Sequence, residues 1–366
     1  MGVAPGRVNL IGEHVDYEGG LVLPMAIDRW VAVAFGEHDQ PIVRGVTASA
    51  SGETCEQATG ERQPDGPWVK YVAGVLDGYR QLGWEAGGAS VAVASTLPAG
   101  AGLSSSAALE TATAVAMEDS AATTLSPKDR ALLCQKAEHE FAGVPCGIMD
   151  QLTVGCAREG HALSIDCRSL DWEAVALPEG FAVLVVDTGV GHELGESEYP
   201  KRRAECREAA DLLGVDLLSD ADPSLIEKRL PGNGLATVRN RARHVVNEIG
   251  RVRKFAIALE NNDREGIART MAGSHDSLRD LYEVSCDELD ALVTIGRDLD
   301  GVVGCRMTGG GFGGSVVMLV EADAGDAVER EIVLRYAAAT GLEAATIRVK
   351  PVDGAEVVET EKLLEA

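Results

Sequence analysis

Apolar residues recur at helical spacing over 68–82 (Val72, Val75, Leu76, Tyr79, Leu82), which predicts a helix with one buried stripe. A run of small and β-branched residues at 90–94 reads as a strand that delivers the chain into a glycine–serine segment, and a helix follows over about 104–117. The next helix carries its own punctuation, with Ser126 as N-cap, Pro127 at its first position and Gly143 just past its end. Residues 22–35 read as strand, turn and strand, and 161–166 and 182–187 as strands. Beyond them the pattern turns helical at 197–213, 235–261, 264–281 and 286–299. Strands return at 302–307 and 315–321, followed by a helix and a last strand at 345–349. Segregated runs of helix and strand predict an α+β fold in two domains, 1–180 and 181–366.

A chain of 366 residues has room for two cores. Its 58 Asp and Glu against 33 Lys and Arg give a formal charge of −25, which disfavours nucleic acid and anionic membranes as partners. No signal peptide opens the chain and no apolar run reaches membrane-spanning length, so a cytoplasmic protein is expected, as a monomer or weak homo-oligomer. Eight cysteines without a C-x-x-C pair are expected to be reduced thiols.

Two segments change the picture. Residues 97–108 (LPAGAGLSSSAA) combine glycines, which let a backbone approach an anion, with three hydroxyls at a helix start, where unpaired N–H groups gather. A plain serine cap after a glycine turn explains this segment almost as well on its own. Residues 308–314 (TGGGFGG) place five glycines around one Phe, more than a tight connection between strands needs. Together they point to phosphate. The Walker lysine is absent, so positive charge must come from elsewhere or from a metal ion.

Arg7, Glu13, His14 and Asp16 fall within ten residues, a mixture that suits several sugar hydroxyls; the alternative is a solvated loop with a chance cluster of charge. Residues 146–151 (CGIMDQ) follow Glu138 and His139 and set Asp150 among apolar neighbours. Such an Asp suits a base for a sugar hydroxyl. With an ordinary pKa of about 4 it helps late in phosphoryl transfer, with Arg7 as a candidate cation beside it. A structural ion pair between the same two residues is the alternative. His38, His161 and His244 show no grouping that suggests a metal or a triad, and no hydrolase or Rossmann motif is present.

Three separated segments resemble one family, the GHMP small-molecule kinases, and within it the galactokinases. Residues 4–17 (APGRVNLIGEHVDY) resemble the galactokinase signature, 97–108 the family's ATP phosphate loop and 307–314 (MTGGGFGG) its third, glycine-rich motif. Shorter stretches at 68–75, 135–151, 165–170, 197–206 and 274–286 agree. The first segment is the specific one, because mevalonate and homoserine kinases share the loops but lack it.

The resemblance implies a two-domain fold with a ferredoxin-like second domain and an active site in the interdomain cleft. It implies transfer of the γ-phosphoryl of ATP to the anomeric O1 of galactose. Carried over, Asp150 is the base and Arg7 its electrostatic partner, while Glu13, His14, Asp16, Gly147 and Tyr199 contact the sugar. Gly100, Ala101, Gly102, Leu103, Ser104, Ser105 and Ser106 hold the triphosphate, and Trp68 lies near the adenine. Ser106 and Glu138 ligate Mg²⁺, a hard cation suited to such oxygens, in place of the missing lysine. A kinase of N-acetylgalactosamine or another C1-hydroxyl hexose, and a non-catalytic galactose and ATP sensor, are the alternatives.

Two departures from the family pattern carry expectations. Relatives carry about a strand's worth or more of chain before the first motif, whereas Met1 and Gly2 lead straight into it here. A missing edge strand beside Arg7 is expected to loosen the sugar site. Glu18 stands where relatives often have a small or amide residue, and is expected to point outward.

Overall fold

A computed structural model describes residues 1–48, 52–85, 87–98, 100–121, 124–191 and 195–359; Ala99 of the first glycine segment lies outside them. The first half opens with strands β1 (Gly2–Asn9), β2 (Leu21–Val22), β3 (Pro24–His38), β4 (Ile42–Thr47) and β5 (Thr54–Ala58). Helix α1 (Val69–Gln81), strand β6 (Gly88–Ser95) and helices α2 (Ser105–Ala121), α3 (Pro127–Ala137) and α4 (Met149–Cys156) follow. Strands β7 (His161–Asp166) and β8 (Asp171–Ala176) close that half.

The second half runs β9 (Phe181–Asp187), α5 (Gly195–Leu213), α6 (Pro223–Arg229), α7 (Ala236–Glu260), α8 (Arg264–Ser277) and α9 (Asp287–Arg297). It ends with β10 (Val302–Thr308), β11 (Ser315–Glu321), α10 (Gly325–Thr340), β12 (Ala345–Val349) and β13 (Glu356–Val357). A six-stranded sheet has the order β13-β1-β3-β6-β4-β5, a four-stranded antiparallel sheet β10-β11-β9-β12, and a small sheet β2-β7-β8.

Local chemistry explains how these elements meet at one place. Helix α2 is built on Ala107, Ala108, Ala112 and Ala114, and is buried nearly all round. Small side chains let it press so closely on β1 that a Cβ at Gly2 would lie 2.0 Å from the Ala112 carbonyl. This packing sets the serine-rich start of α2 beside Arg7 of β1. Ser126 caps α3 by accepting from the Asp129 N–H (3.1 Å), and the helix ends in a wider turn over Glu138–Ala142 closed by Gly143 at φ +70°. Glu138, at the start of that turn, is buried. In the other half β11 lies between β9 and β10 with nearly every residue buried, so Ser315–Glu321 reads as a continuous apolar run.

Several sequence expectations differ from the fold. The turn expected within 22–35 is a bulge: β1 pairs with one long β3, and Asp28 and Arg29 are extra between Trp30 opposite Pro5 and Ile27 opposite Gly6. The expected gap beside Arg7 is filled. Gly2 and Val3 pair with β13 from the far end of the chain, and the Arg7 N–H donates to the Leu103 carbonyl (3.1 Å). Glu18 does not point outward; it is buried and accepts from the Leu218 N–H (3.1 Å). Among the described residues no helix is long and apolar enough to cross a membrane.

Candidate active site

Arg7 stands on β1 and Asp150 in the first turn of α4, 143 positions apart. Arg7 Nε donates to Asp150 Oδ1 and its second terminal nitrogen to Oδ2, both at 2.7 Å, while the first terminal nitrogen donates to the Gly102 carbonyl at 2.7 Å. Burial alone would lower the Arg7 pKa, but the charge and hydrogen bonds of Asp150 outweigh it and the pKa is raised. Ser104 Oγ adds a 2.5 Å hydrogen bond to Asp150 Oδ2. Ser104 holds φ +59°, a left-handed conformation that costs a non-glycine residue about 1 kcal/mol, and its bond to Asp150 offsets this. Gly100 (φ +76°) and Gly102 (φ +69°) carry the same handedness at no such cost. One polar knot thus ties the glycine–serine loop to the acid and its cation.

The second polar cluster lies under the other glycine-rich loop. Glu13 is buried, and its Oε1 accepts from Thr308 Oγ1 (3.0 Å) and the Gly309 N–H (2.8 Å), with the Arg306 guanidinium at 3.2 Å. His14 Nε2 lies 3.1 Å from the Gly310 carbonyl, which can only accept, so Nε2 carries the proton. Nδ1 then accepts from the Tyr17 hydroxyl at 3.1 Å, and Tyr17 in turn accepts from Tyr282 at 2.6 Å. Burial pushes the His14 pKa down to about 4, so the ring is neutral at ordinary pH. Tyr199 completes this aromatic group with its ring centroid 5.5 Å from that of His14 and 5.5 Å from that of Tyr17.

Asp16 reaches across to Gly147, where a Cβ would fall 1.8 Å from Asp16 Oδ2; only glycine leaves room for that carboxyl. Burial, and after it the charge of Asp150, push the Asp16 carboxyl up to about 7. Unfolded, the group ionises near 4, so the folded state holds the proton more tightly and stability falls as pH rises from about 4 to 7. Asp16→Asn is therefore expected to raise Tm over the parent by a margin that grows from about pH 5 to 7 and then levels. Calorimetric melts across that range check it, and a pH-independent margin contradicts it.

The Arg7–Asp150–Ser104 unit, Tyr199 and the loop at 309–311 border one cavity of about 910 Å³, which residues 100–106 also line; Glu13, His14, Asp16 and Gly147 are not among its lining residues. That volume suits a nucleotide and a small cosubstrate. A match to the family model "GHMP kinases N terminal domain" covers residues 70–158, "GHMP kinases C terminal" covers 255–338, and "Galactokinase galactose-binding signature" covers 1–37. The chain is 44% identical to the galactokinase of Streptomyces coelicolor over 350 residues, covering 94% of this chain and 90% of that one. It is 42% identical to the human galactokinase, covering 97% of this chain and 91% of that one. The chain belongs to the galactokinase family of GHMP kinases, which are ATP-dependent phosphotransferases.

Among solved structures, the galactokinase of Lactococcus lactis complexed with galactose superposes with a TM-score of 0.89 at 29% identity, covering 98% of this chain and 94% of that one. The mevalonate kinase of Methanococcus jannaschii, at TM-score 0.65, 18% identity and coverage of 96% and 98%, shares the fold. The family's expected architecture is therefore present.

In this member of the galactokinase family, Ser106 lies near enough to the Glu138 carboxyl to favour its ionised form, so the two expected magnesium ligands are neighbours. Glu138 is buried, and burial raises its pKa, with Ser106 opposing and the Asp150 charge adding to the rise. Gln151 Nε2 donates to Glu138 Oε2 at 2.7 Å and fixes that carboxyl. Trp68 is not among the residues lining the cavity; its ring packs on β4, where a Cβ at Gly45 would lie 2.4 Å from it. The aromatic side chain that α1 places on the cavity wall is Tyr71, three positions on and next to Lys70. Sequence reasoning missed Lys70, which has no acidic partner among the described residues; its place on the first turn of α1 was the available signal.

Proposed function

We propose that this chain transfers the γ-phosphoryl of ATP to the O1 hydroxyl of galactose, giving galactose 1-phosphate and ADP. One observation carries the reading: Arg7, Asp150 and Ser104 form a single hydrogen-bonded unit on the wall of a cavity shared with the phosphate loop. In the step, galactose O1 bonds to the γ-phosphorus as the bond to the ADP oxygen breaks, and the O1 proton passes to an Asp150 oxygen. Arg7 holds both Asp150 oxygens in place and sets a positive charge beside the reacting oxygens.

Gly100–Ser106 and the start of α2 take the triphosphate, with Lys70, on the wall of the same cavity, adding positive charge. Asp16, Tyr199 and the backbone at Gly147 face the sugar. Glu13 offers it Oε2, since Oε1 is engaged, and His14 Nε2 reaches it by exchanging the Gly310 carbonyl for a hydroxyl.

The Ser106 hydroxyl and the Glu138 carboxyl are hard oxygen donors, and so few protein ligands suit Mg²⁺, which keeps waters and phosphate oxygens around it. Bound there, the ion would neutralise charge on the β- and γ-phosphates. Eight free cysteines fit a reducing compartment, and we assign the enzyme to the cytoplasm as a monomer or weak homo-oligomer, since all these site residues come from one chain. The test is product identity. Equimolar ADP and galactose 1-phosphate are expected, with phosphorus on the anomeric oxygen by ³¹P NMR; ADP with inorganic phosphate, or phosphate on O6, contradicts it.

A further inference from the structure

Helix α7 belongs to the second half of the chain, yet one stripe of it grips the backbone of the first polar loop. His244, Glu248 and Val252 recur every four residues on α7, so they share a face. His244 Nε2 donates to the Glu13 carbonyl at 3.1 Å, and Glu248 Oε1 accepts from the Gly12 N–H at 3.1 Å. Gly12 lies flat on that stripe at φ +101°, where a Cβ would meet Val22 Cα at 2.9 Å and Val252 at 3.0 Å.

Each clamp residue is itself locked. Ser277 Oγ donates to His244 Nδ1 at 2.9 Å, which leaves the ring proton on Nε2, aimed at Glu13. Burial drives the His244 pKa down to about 3, so the ring stays neutral and keeps one donor and one acceptor. Ser274 Oγ (2.5 Å) and Arg251 Nε (2.6 Å) hold the Glu248 carboxylate. Both side chains are fully buried.

We propose that His244 and Glu248 are positioning residues that set galactose affinity by fixing the Glu13–His14 and Ile11–Gly12 peptides, which bracket Glu13 in the loop. The inference rests on the reading that Glu13, His14 and Asp16 contact the sugar. Each clamp side chain ends on a backbone group of the loop, so each acts through that backbone. A shift of a fraction of an ångström at residues 12–14 moves Glu13 and His14 together, and leaves the phosphate loop on α2 in place.

The experiment measures calorimetric Kd for galactose and for ATP separately, with KM and kcat, on His244→Leu, His244→Gln and Ser277→Ala. His244→Leu is expected to raise the galactose Kd and KM about tenfold, with the ATP Kd within about twofold. His244→Gln, whose amide nitrogen reaches where Nε2 does, is expected to restore most of that affinity. Ser277→Ala, the mildest change, is expected to weaken galactose about threefold and serves where His244→Leu fails to fold. Unchanged galactose Kd in the variants, equal losses for galactose and ATP, or no rescue by Gln overturns the clamp. A parent protein that binds no galactose instead overturns the sugar-kinase reading, and the clamp with it.

Discussion

Asp150→Asn is expected to lower kcat with galactose by about 10³-fold, while ATP Kd stays within about threefold. The substitution keeps the shape and one acceptor oxygen, but removes the group that takes the O1 proton and the charge that faces Arg7. Arg7 is then buried without its counter-charge, with one amide oxygen and the Gly102 carbonyl left to accept from its guanidinium, so a lower Tm accompanies the loss. Turnover is therefore measured well below the melting point, and ATP binding confirms a folded site. Parent-like kcat removes Asp150 from the mechanism and leaves the pair a structural one. A galactose Kd that rises as steeply as kcat falls places Asp150 in binding rather than in the step.

Glu138→Ala is expected to raise the Mg²⁺ concentration for half-maximal activity by about tenfold or more, and to lower kcat at saturating Mg²⁺. Glu138 also anchors Gln151, so Glu138→Gln, which keeps a hydrogen-bonding group of the same size, separates the roles. Both variants shifted alike identifies a lost ligand charge. A Gln variant with the parent's magnesium titration identifies Glu138 as a structural anchor. The readout besides activity is Mg²⁺-dependent binding of ATP by calorimetry, expected to lose its magnesium dependence in both variants.

Much of this site was legible because its residues lie in short, chemically dense segments. Asp150 and Arg7 stood out as an acid among apolar neighbours and a cation in a polar run, and the structure joins them through two 2.7 Å bonds. Helices with a clean stripe or strong punctuation, such as Val69–Gln81 and the Ser126-capped helix taken together with its wider last turn to Ala142, lie within a residue or two of their expected bounds. What escaped depends on partners far away in sequence. His244 read as an ordinary residue of a long amphipathic helix, because its partner carbonyl at Glu13 is 231 positions distant. Glu18 was expected outward for the same reason, its partner N–H lying 200 positions on.

Strands β4, β5 and β8 escaped because about half of each faces solvent, so no sustained apolar run marks them. Trp68 shows a different limit. A Trp at the start of a helix suits adenine stacking and core packing equally well on paper. Only the glycine opposite it in β4 reveals the packing partner.

The most direct measurement is ADP release with Mg·ATP against galactose, N-acetylgalactosamine, glucose, mevalonate and homoserine under one set of conditions. Turnover with galactose far above the other four is the predicted result. Preference for N-acetylgalactosamine or another acceptor, or no turnover from a protein that still binds ATP and galactose, contradicts it.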